Sequence, residues 1–267
     1  MTGASASLPL RGGVIAAGHG TRLKRDGYRV SKPMTPVGGR PLIGHALDRF
    51  RWVGIRQATV IVNEDSDDCR RWLDDHADGL DLDVIVRTTP SSYASFALVA
   101  ARLAGAPAVI TTVDAIVAPG AFRHFVKSAA GFPDDAIVLG VTGHVDDDNP
   151  LWATLDEHGH IRRVGGGQGS HVTAGVYWLP AQRIAAPSAR FSRLRDYLKW
   201  LVDEGRPVYG VVLPLVFDID RAHDVEAAEQ AGFLRSPEAT SERRSINELA
   251  PQRPHPEERS QASRLEG

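Results

Sequence analysis

One cysteine, Cys69, stands among 267 residues, so no disulfide can close within the chain and a cysteine-based zinc site is excluded. Both facts suit a reducing compartment. Charge of one sign is not in excess either. Charged residues make up 24% and the formal net charge is -2, so nothing global points to DNA, RNA or an anionic membrane as a partner. No run reaches the ~18 apolar residues of a membrane span. The apolar run Gly12 to Gly18 is short, broken by glycines and preceded by Arg11, which does not read as a signal peptide. A soluble, cytoplasmic protein is expected, and a homo-oligomer is left open. No repeat of 20–50 residues is visible.

What is present is a 42% hydrophobic chain, enough for one sizeable core with a short tail. Short β-branched runs alternate with longer helical patterns. Strands are expected at Val14 to Ala17, Ala58 to Val62, Leu82 to Val86, Pro107 to Val113 and Ala136 to Val141. Between them lie helical patterns opening near Pro41, Asp67, Ser91 or Ser92, and Pro119. That alternation predicts an α/β protein with an open, largely parallel sheet and helices on both faces. After Pro150 the strands shorten and glycines multiply. Ala174 to Leu179 and Pro207 to Leu213 read as strands, and Leu194 to Glu204 and Ala222 to Ala231 as helices. From Ser236 on there is no aromatic residue and no valine, so residues 236–267 are expected to be a disordered tail following a domain of residues 1–235. Deleting residues 237–267 is expected to leave activity intact.

Residues 11–40 hold seven basic side chains, seven glycines and one acid, Asp26. Glycines let backbone N–H groups approach an anion, and cations neutralise it. The stretch follows the first strand, at the carboxyl end where open α/β sheets bind ligands. A solvated basic loop with turn glycines would have the same composition. Gly18-x-Gly20 lacks the third glycine of a dinucleotide fingerprint, and no G-x-x-x-x-G-K-[ST] run is present.

Order and spacing say more. The chain reads Ala16-Ala17-Gly18-His19-Gly20-Thr21-Arg22-Leu23, then Ser31-Lys32-Pro33-Met34-Thr35-Pro36-Val37, then Gly39-Arg40-Pro41-Leu42-Ile43. These three blocks resemble the signature of the sugar-1-phosphate nucleotidyltransferases, glucose-1-phosphate thymidylyltransferases among them: A-A-G-x-G-T-R-L, K-P-(M/L)-x-P-V and G-x-P-(L/I)-I. The resemblance extends more weakly to about residue 232. It implies a Rossmann-like, mixed and mainly parallel sheet of the nucleotide-diphospho-sugar transferase type, with a small β-rich acceptor lobe from about 143 to 190. It implies that NTP and a small phosphorylated acceptor are the partners and that Mg²⁺ is the cofactor. Ala17, Gly18, His19, Gly20 and Thr21 would line the NTP phosphates. Arg22 would hold the β- and γ-phosphates, and Lys32 would bridge the α-phosphate and the incoming phosphate. Fixed cations there would stabilise the charge that develops during transfer.

Among the acids, Asp114 ends an apolar strand, where the family binds Mg²⁺. Asp218 and Asp220 resemble the late D-I-(G/D) motif that supplies the second metal carboxylate. Two apart, they share one face of a strand, so both can reach one site. Mg²⁺ takes few carboxylates plus waters and phosphate oxygens. Asp146-Asp147-Asp148 reads as a solvated turn. No general base is required, because a phosphate monoester with a second pKa of ~6 is largely dianionic at neutral pH.

The resemblance puts the nucleobase against Arg87 to Ser95, with Arg87, Pro90 and Ser92 as contacts. Ser92 replaces the usual glycine, and Arg87 or Thr88 the usual glutamine. Tyr93 can stack on a base or pack on the sheet. Thr173-Ala174-Gly175-Val176-Tyr177 resembles the strand that meets the acceptor through Thr173 and Gly175, and Gly140 resembles a sugar-contacting glycine. The usual Glu-Lys-Pro is absent; the region reads Arg162-Arg163-Val164-Gly165-Gly166-Gly167. Inositol phosphate, phosphocholine or another small phosphate is therefore as suitable an acceptor as a hexose phosphate. Two rivals remain. A molybdopterin guanylyltransferase-like enzyme predicts an L-A-G-G-x-S-x-R-M-G-x-D-K start, which is absent. A nucleotide-binding regulator without catalysis would keep the loop.

Overall fold

The computed structural model describes residues 9–145, 149–182 and 191–232. The Asp146-Asp147-Asp148 turn, part of the expected acceptor lobe and the expected disordered tail lie outside them.

The first half alternates as its sequence demands. β1 (Arg11–Ala16) leads into α1 (Thr21–Arg25), a short 3₁₀ turn (Lys32–Met34), and the two-residue strands β2 (Pro36–Val37) and β3 (Arg40–Pro41). Then follow α2 (Leu42–Trp52), β4 (Gln57–Val62), α3 (Asp67–Asp75), β5 (Asp81–Val86) and α4 (Ser92–Arg102). Pro41 is the N-cap of α2, not its first residue. Ser91 is the cap of α4, its Oγ accepting from the Ala94 N–H at 3.1 Å. β6 (Ala108–Thr112) and β7 (Ala115–Val117) precede α5 (Pro119–Ala129).

The second half holds β8 (Ile137–Thr142), β9 (Trp152–Leu155), β10 (Ile161–Val164), β11 (His171–Leu179), α6 (Leu194–Asp203), β12 (Val208–Leu213), β13 (Val216–Asp218) and α7 (Ala222–Gln230).

The central sheet runs β5-β4-β1-β6-β11, continues through β8 to β12, and carries β9 and β10 beside the start of β11. β5, β4, β1 and β6 are mutually parallel, and β12 is parallel to β8. β11 is antiparallel to both of its neighbours, β6 and β8. The sheet is thus mixed around a parallel core, as the alternation predicts. β4 and β6 flank β1 on opposite sides, so the chain order reverses there and opens a crevice at the carboxyl ends.

Helices cover both faces. Phe50 of α2 lies over Gly12, and Val99 of α4 lies over Gly13, adjacent β1 residues that face opposite sides. Phe50 and Phe122 of α5, both fully buried, pack with ring centroids 6.2 Å apart. On the other face Tyr93 and Phe96 of α4 meet Tyr197 of α6. Each such side chain taken from water contributes ~1.5–3 kcal/mol. Among the described residues, no helix is long and apolar enough to cross a membrane.

Candidate active site

Lys32 is the centre of the site. The 3₁₀ turn that carries it is closed by hydrogen bonds from Met34 N–H to Ser31 O (2.9 Å) and Thr35 N–H to Lys32 O (3.0 Å). The Ser31 N–H donates to Asp68 Oδ2 at 2.8 Å, tying the turn to the start of α3. The Lys32 side chain is only 8% exposed, and Gly20 lets it run past the loop that follows β1. Gly20 has φ +60°, and a Cβ there would come within 2.8 Å of Lys32 Cβ.

The Lys32 ammonium donates to Asp114 Oδ2 at 2.6 Å and to Asp220 Oδ1. Arg22 Nη1 donates to the other oxygen of Asp220 at 2.8 Å. Asp114 lies at the corner between β6 and β7, pinned because the Val113 N–H donates to Ile15 O of β1 at 3.0 Å. Asp218 ends β13, opposite Ala115 of β7. The Ile219 N–H donates to Asp114 O at 3.1 Å, bringing the two acidic segments together. Asp224 in α7 accepts from the Asp220 and Arg221 N–H groups at 2.9 and 2.7 Å, fixing the segment after Asp218. Oxygens of Asp114, Asp218 and Asp220 lie within 4.8 Å of one another. All are hard donors, and two or three carboxylates with room for water and phosphate oxygens are what Mg²⁺ takes. The donor set fits that ion.

Burial alone would lower the pKa of Lys32. The facing Asp114, Asp220 and Asp218 outweigh it and hold the ammonium above the ordinary lysine range. Burial would raise Asp114, but the Lys32 charge and hydrogen bonds, including one involving Thr112, hold its carboxyl below the usual range.

Lys32 lines one cavity, and Asp114, its partner at 2.6 Å, lines a second. One, of about 320 Å³, is lined by Gly18, His19, Lys24, Arg29 and Lys32 on one wall and by Asn63 and Asp65 to Asp68 on the other. The second, of about 260 Å³, is lined by Asp114 and Asp218 at one place and by Thr142, Thr173, Gly175 and Tyr177 elsewhere. Of the seven basic residues of the first loop, Arg11 and Arg40 turn away, to Ala104 O and Asp48.

The segment expected to meet the nucleobase divides. Ser92 reaches the second cavity, while the side chains of Arg87 and Pro90 are exposed and line neither. Tyr93 is buried, its ring 5.1 Å from Phe191 and 5.2 Å from Tyr197, so it packs in the core and cannot stack on a base. Asn63 is a residue that sequence patterns gave no reason to choose. Buried at the end of β4, it donates to Ala17 O (3.3 Å), meets His19 Nδ1 (3.3 Å) and accepts from Thr88 Oγ1 (3.1 Å). It thereby joins the loop after β1 to the segment after β5.

Thr173 and Gly175 both line the second cavity. Gly175 has φ +67° where the β11 register shifts, and a Cβ there would strike Thr112 Oγ1 and sit 3.0 Å from Ala115 Cβ. Gly140 is not brought to that wall. It is buried against Val176 and Leu213, and Thr142, two residues along the same strand, lines the cavity instead. Arg162 and Arg163 stay outside, the first paired with Asp156 at 2.6 Å, the second donating to Gln168 O at 2.8 Å. Two arginines at the start of α6, Arg193 and Arg195, line the cavity without having been marked by any motif.

Among curated proteins, the chain is 33% identical over 86 residues to a CMP-5'-(3-aminopropyl)phosphonate synthase of Streptomyces rubellomurinus, covering 32% of this chain and 14% of that protein. It is 27% identical over 269 residues to the bifunctional protein GlmU of Paracidovorax citrulli, covering 89% and 50%. A glucose-1-phosphate thymidylyltransferase of Streptomyces griseus is 26% identical over 212 residues, covering 75% and 59%. The chain thus spans at most about three fifths of each of these relatives. The inositol-1-phosphate CTP transferase of T. maritima superposes with a TM-score of 0.68 at 20% identity, over 86% of this chain and 99% of that one, a likeness of fold. The MobA-like NTP transferase domain model matches residues 12–236, from β1 through α7, and the chain belongs to that family of nucleotidyltransferases.

Proposed function

We propose that this chain joins the nucleoside monophosphate part of an NTP to a small phosphorylated or phosphonylated acceptor and releases pyrophosphate. The observation that carries the reading is the position of the Lys32–Asp114 ion pair between two cavities, one walled by the glycine-rich basic loop and the other by β11. Transfer needs two ligands that touch at one phosphorus, with fixed positive charge there.

In this reading the loop from Ala17 to Thr21, with Lys24 and Arg29, holds the triphosphate. The acceptor lies along Thr173 and Gly175 with its phosphate toward Lys32. An acceptor phosphate oxygen forms a bond to the α-phosphorus, and the bond from that phosphorus to the α,β-bridging oxygen breaks. The leaving pyrophosphate takes the electron pair and Arg22 neutralises it. Lys32, already protonated, lies over the non-bridging oxygens and needs no proton transfer. A divalent cation such as Mg²⁺, held by Asp114 and Asp218 with Asp220 in reach, supplies further neutralisation of phosphate charge when bound. A guanylyl transfer to a molybdopterin is disfavoured by the absence of the L-A-G-G-x-S-x-R-M-G-x-D-K start.

The test is pyrophosphate release with Mg²⁺, crossing ATP, GTP, CTP, UTP and dTTP with glucose 1-phosphate, inositol 1-phosphate, phosphocholine and 3-aminopropylphosphonate. Release with at least one pair is expected, and Lys32→Ala should lower it by at least 10²-fold, on the scale of removing one preorganised charge donor. Tight NTP binding with no release from any pair would favour the regulator instead.

A further inference from the structure

Away from the acidic cluster, the polar lining of the second cavity carries positive charge. Among the described residues its only carboxylates are Asp114 and Asp218, both part of the acidic cluster, and the described residues supply no Asn, Gln, Glu or Lys to the lining. What remains is a set of hydroxyls, His144 and two guanidinium side chains, Arg193 and Arg195. The backbone puts them there. The Leu194 N–H donates to Ser92 Oγ at 3.0 Å, docking the start of α6 on the start of α4 with an arginine on each side of Leu194. Arg195 Nη2 donates to Asn149 O at 3.0 Å and is half-buried. Neither arginine is ion-paired with a carboxylate among the described residues, and the nearby Asp196 accepts from Ser192 Oγ instead. Tyr177, in the same cavity, lies in the fields of Asp114 and Asp218 and also of Arg195. The cation and the acids therefore act within one space.

Lys32 and Arg22 already meet the charge of the reacting phosphates. Two further cations in the acceptor cavity are unmatched by an acceptor whose only charge is its attacking phosphate. Guanidinium groups suit planar carboxylates and phosphates through paired N–H donors.

Resting on the nucleotidyltransfer reading, we propose that the acceptor carries a second anionic group, a carboxylate or a second phosphate or phosphonate, which Arg193 and Arg195 bind. The two arginines are then specificity-determining residues that select doubly anionic acceptors over singly anionic ones.

Matched probes test this. Glucuronic acid 1-phosphate differs from glucose 1-phosphate only in bearing a carboxylate, and 3-phosphoglycerate differs likewise from glycerol 3-phosphate. Dissociation constants are measured by calorimetry on the full chain with Mg²⁺. In at least one pair the carboxylate-bearing member should bind on the order of tenfold tighter, as expected of charge-assisted hydrogen bonds. The preference should fall to about unity in the double variant Arg193→Gln, Arg195→Gln and return in part in Arg193→Lys, Arg195→Lys. Equal binding within both pairs, no binding by any probe, or a preference that survives the double glutamine variant overturns the proposal. So does a loss in that variant confined to NTP affinity, which would assign the arginines to the nucleotide. Pyrophosphate release, measured in parallel, separates the two claims. Preferential binding without release would sink the transfer reading alone, whereas release that is indifferent to the second charge would sink this proposal alone.

Discussion

At the scale of single residues, the site of the free chain is a cluster of opposite charges that stabilise one another. Lys32 is buried among Asp114, Asp218 and Asp220, and the sign of each shift fixes a pH signature. The lysine is held above its ordinary value, so its contribution is fully present below about pH 10.4 and is lost only as pH rises through the higher folded value. Asp114 is held down, so its contribution is present above about pH 3.9 and is lost as pH falls through the lower folded value. Replacing Lys32 by Met reverses the second sign. The acids are left crowded, their values rise, and low pH then favours the fold. Lys32→Met should cost about 2 kcal/mol at pH 7, the scale of a hydrogen bond to a charged group, and much less near pH 4.5. Urea titrations at the two pH values check this; an equal cost at both would mean the cluster is not electrostatically coupled to folding. Arg22, Lys32, Asp114, Asp218 and Asp220 could be picked out in advance as candidates because each lies in a compact local motif. Asn63, Arg193 and Arg195 could not, since they belong to no local pattern and are brought to the two cavities by the fold.

Elements with a full apolar face were readable, and those without one were not. β4, β5, β12, α5 and α6 lie within a residue or so of where periodicity puts them. α1 reads as a basic loop because Leu23 is its one buried side chain. β7 and β13 have three residues each, too few to show alternation, yet their pairing carries Asp114 and Asp218 to one place. α2 holds a surprise on a face that reads as apolar: Arg49 is 1% exposed, its guanidinium 5.7 Å from the centre of the Phe122 ring. Its Nε and Nη2 have no hydrogen-bond partner among the described residues, and burial draws the group down to about 10. The fold offers no functional account of it. In β11 the shift of register at Gly175 was legible only as a motif glycine, whereas its cause is geometric. Gly175→Ala must keep φ +67° and push Thr112 aside. It should cost roughly 1–3 kcal/mol, read as a lower midpoint in urea, and raise KM for the acceptor more than for the NTP. An unchanged midpoint with unchanged KM would show that β11 relaxes without disturbing the cavity.

Over the whole molecule, residues from the first loop, from the middle of the chain and from the segment before α7 converge on one cluster, in which Arg22 and Lys32 face Asp114, Asp218 and Asp220. Each motif could be read alone, but their mutual neutralisation depends on how β1, β6 and β13 are brought together, which no local pattern encodes. That mutual engagement has a consequence for binding. In the proposed function phosphates would use Arg22 and Lys32, which Asp220 already engages, and a cation would use the acids, of which Lys32 already engages Asp114 and Asp220. Either ligand alone must break ion pairs and leave one sign uncompensated, while both together exchange partners completely. Metal and triphosphate should therefore bind with positive coupling, on the scale of 5–150-fold. Asp220 is the internal competitor in this exchange, so its removal should act in the direction opposite to an ordinary loss of a site residue. Asp220→Asn should bind inorganic tripolyphosphate in EDTA several-fold more tightly than the parent does, because Arg22 and Lys32 no longer have to be released from a carboxylate. Calorimetric titration measures it directly. Weaker binding in the variant would mean that Asp220 holds the two cations in place for the phosphates and does not compete for them.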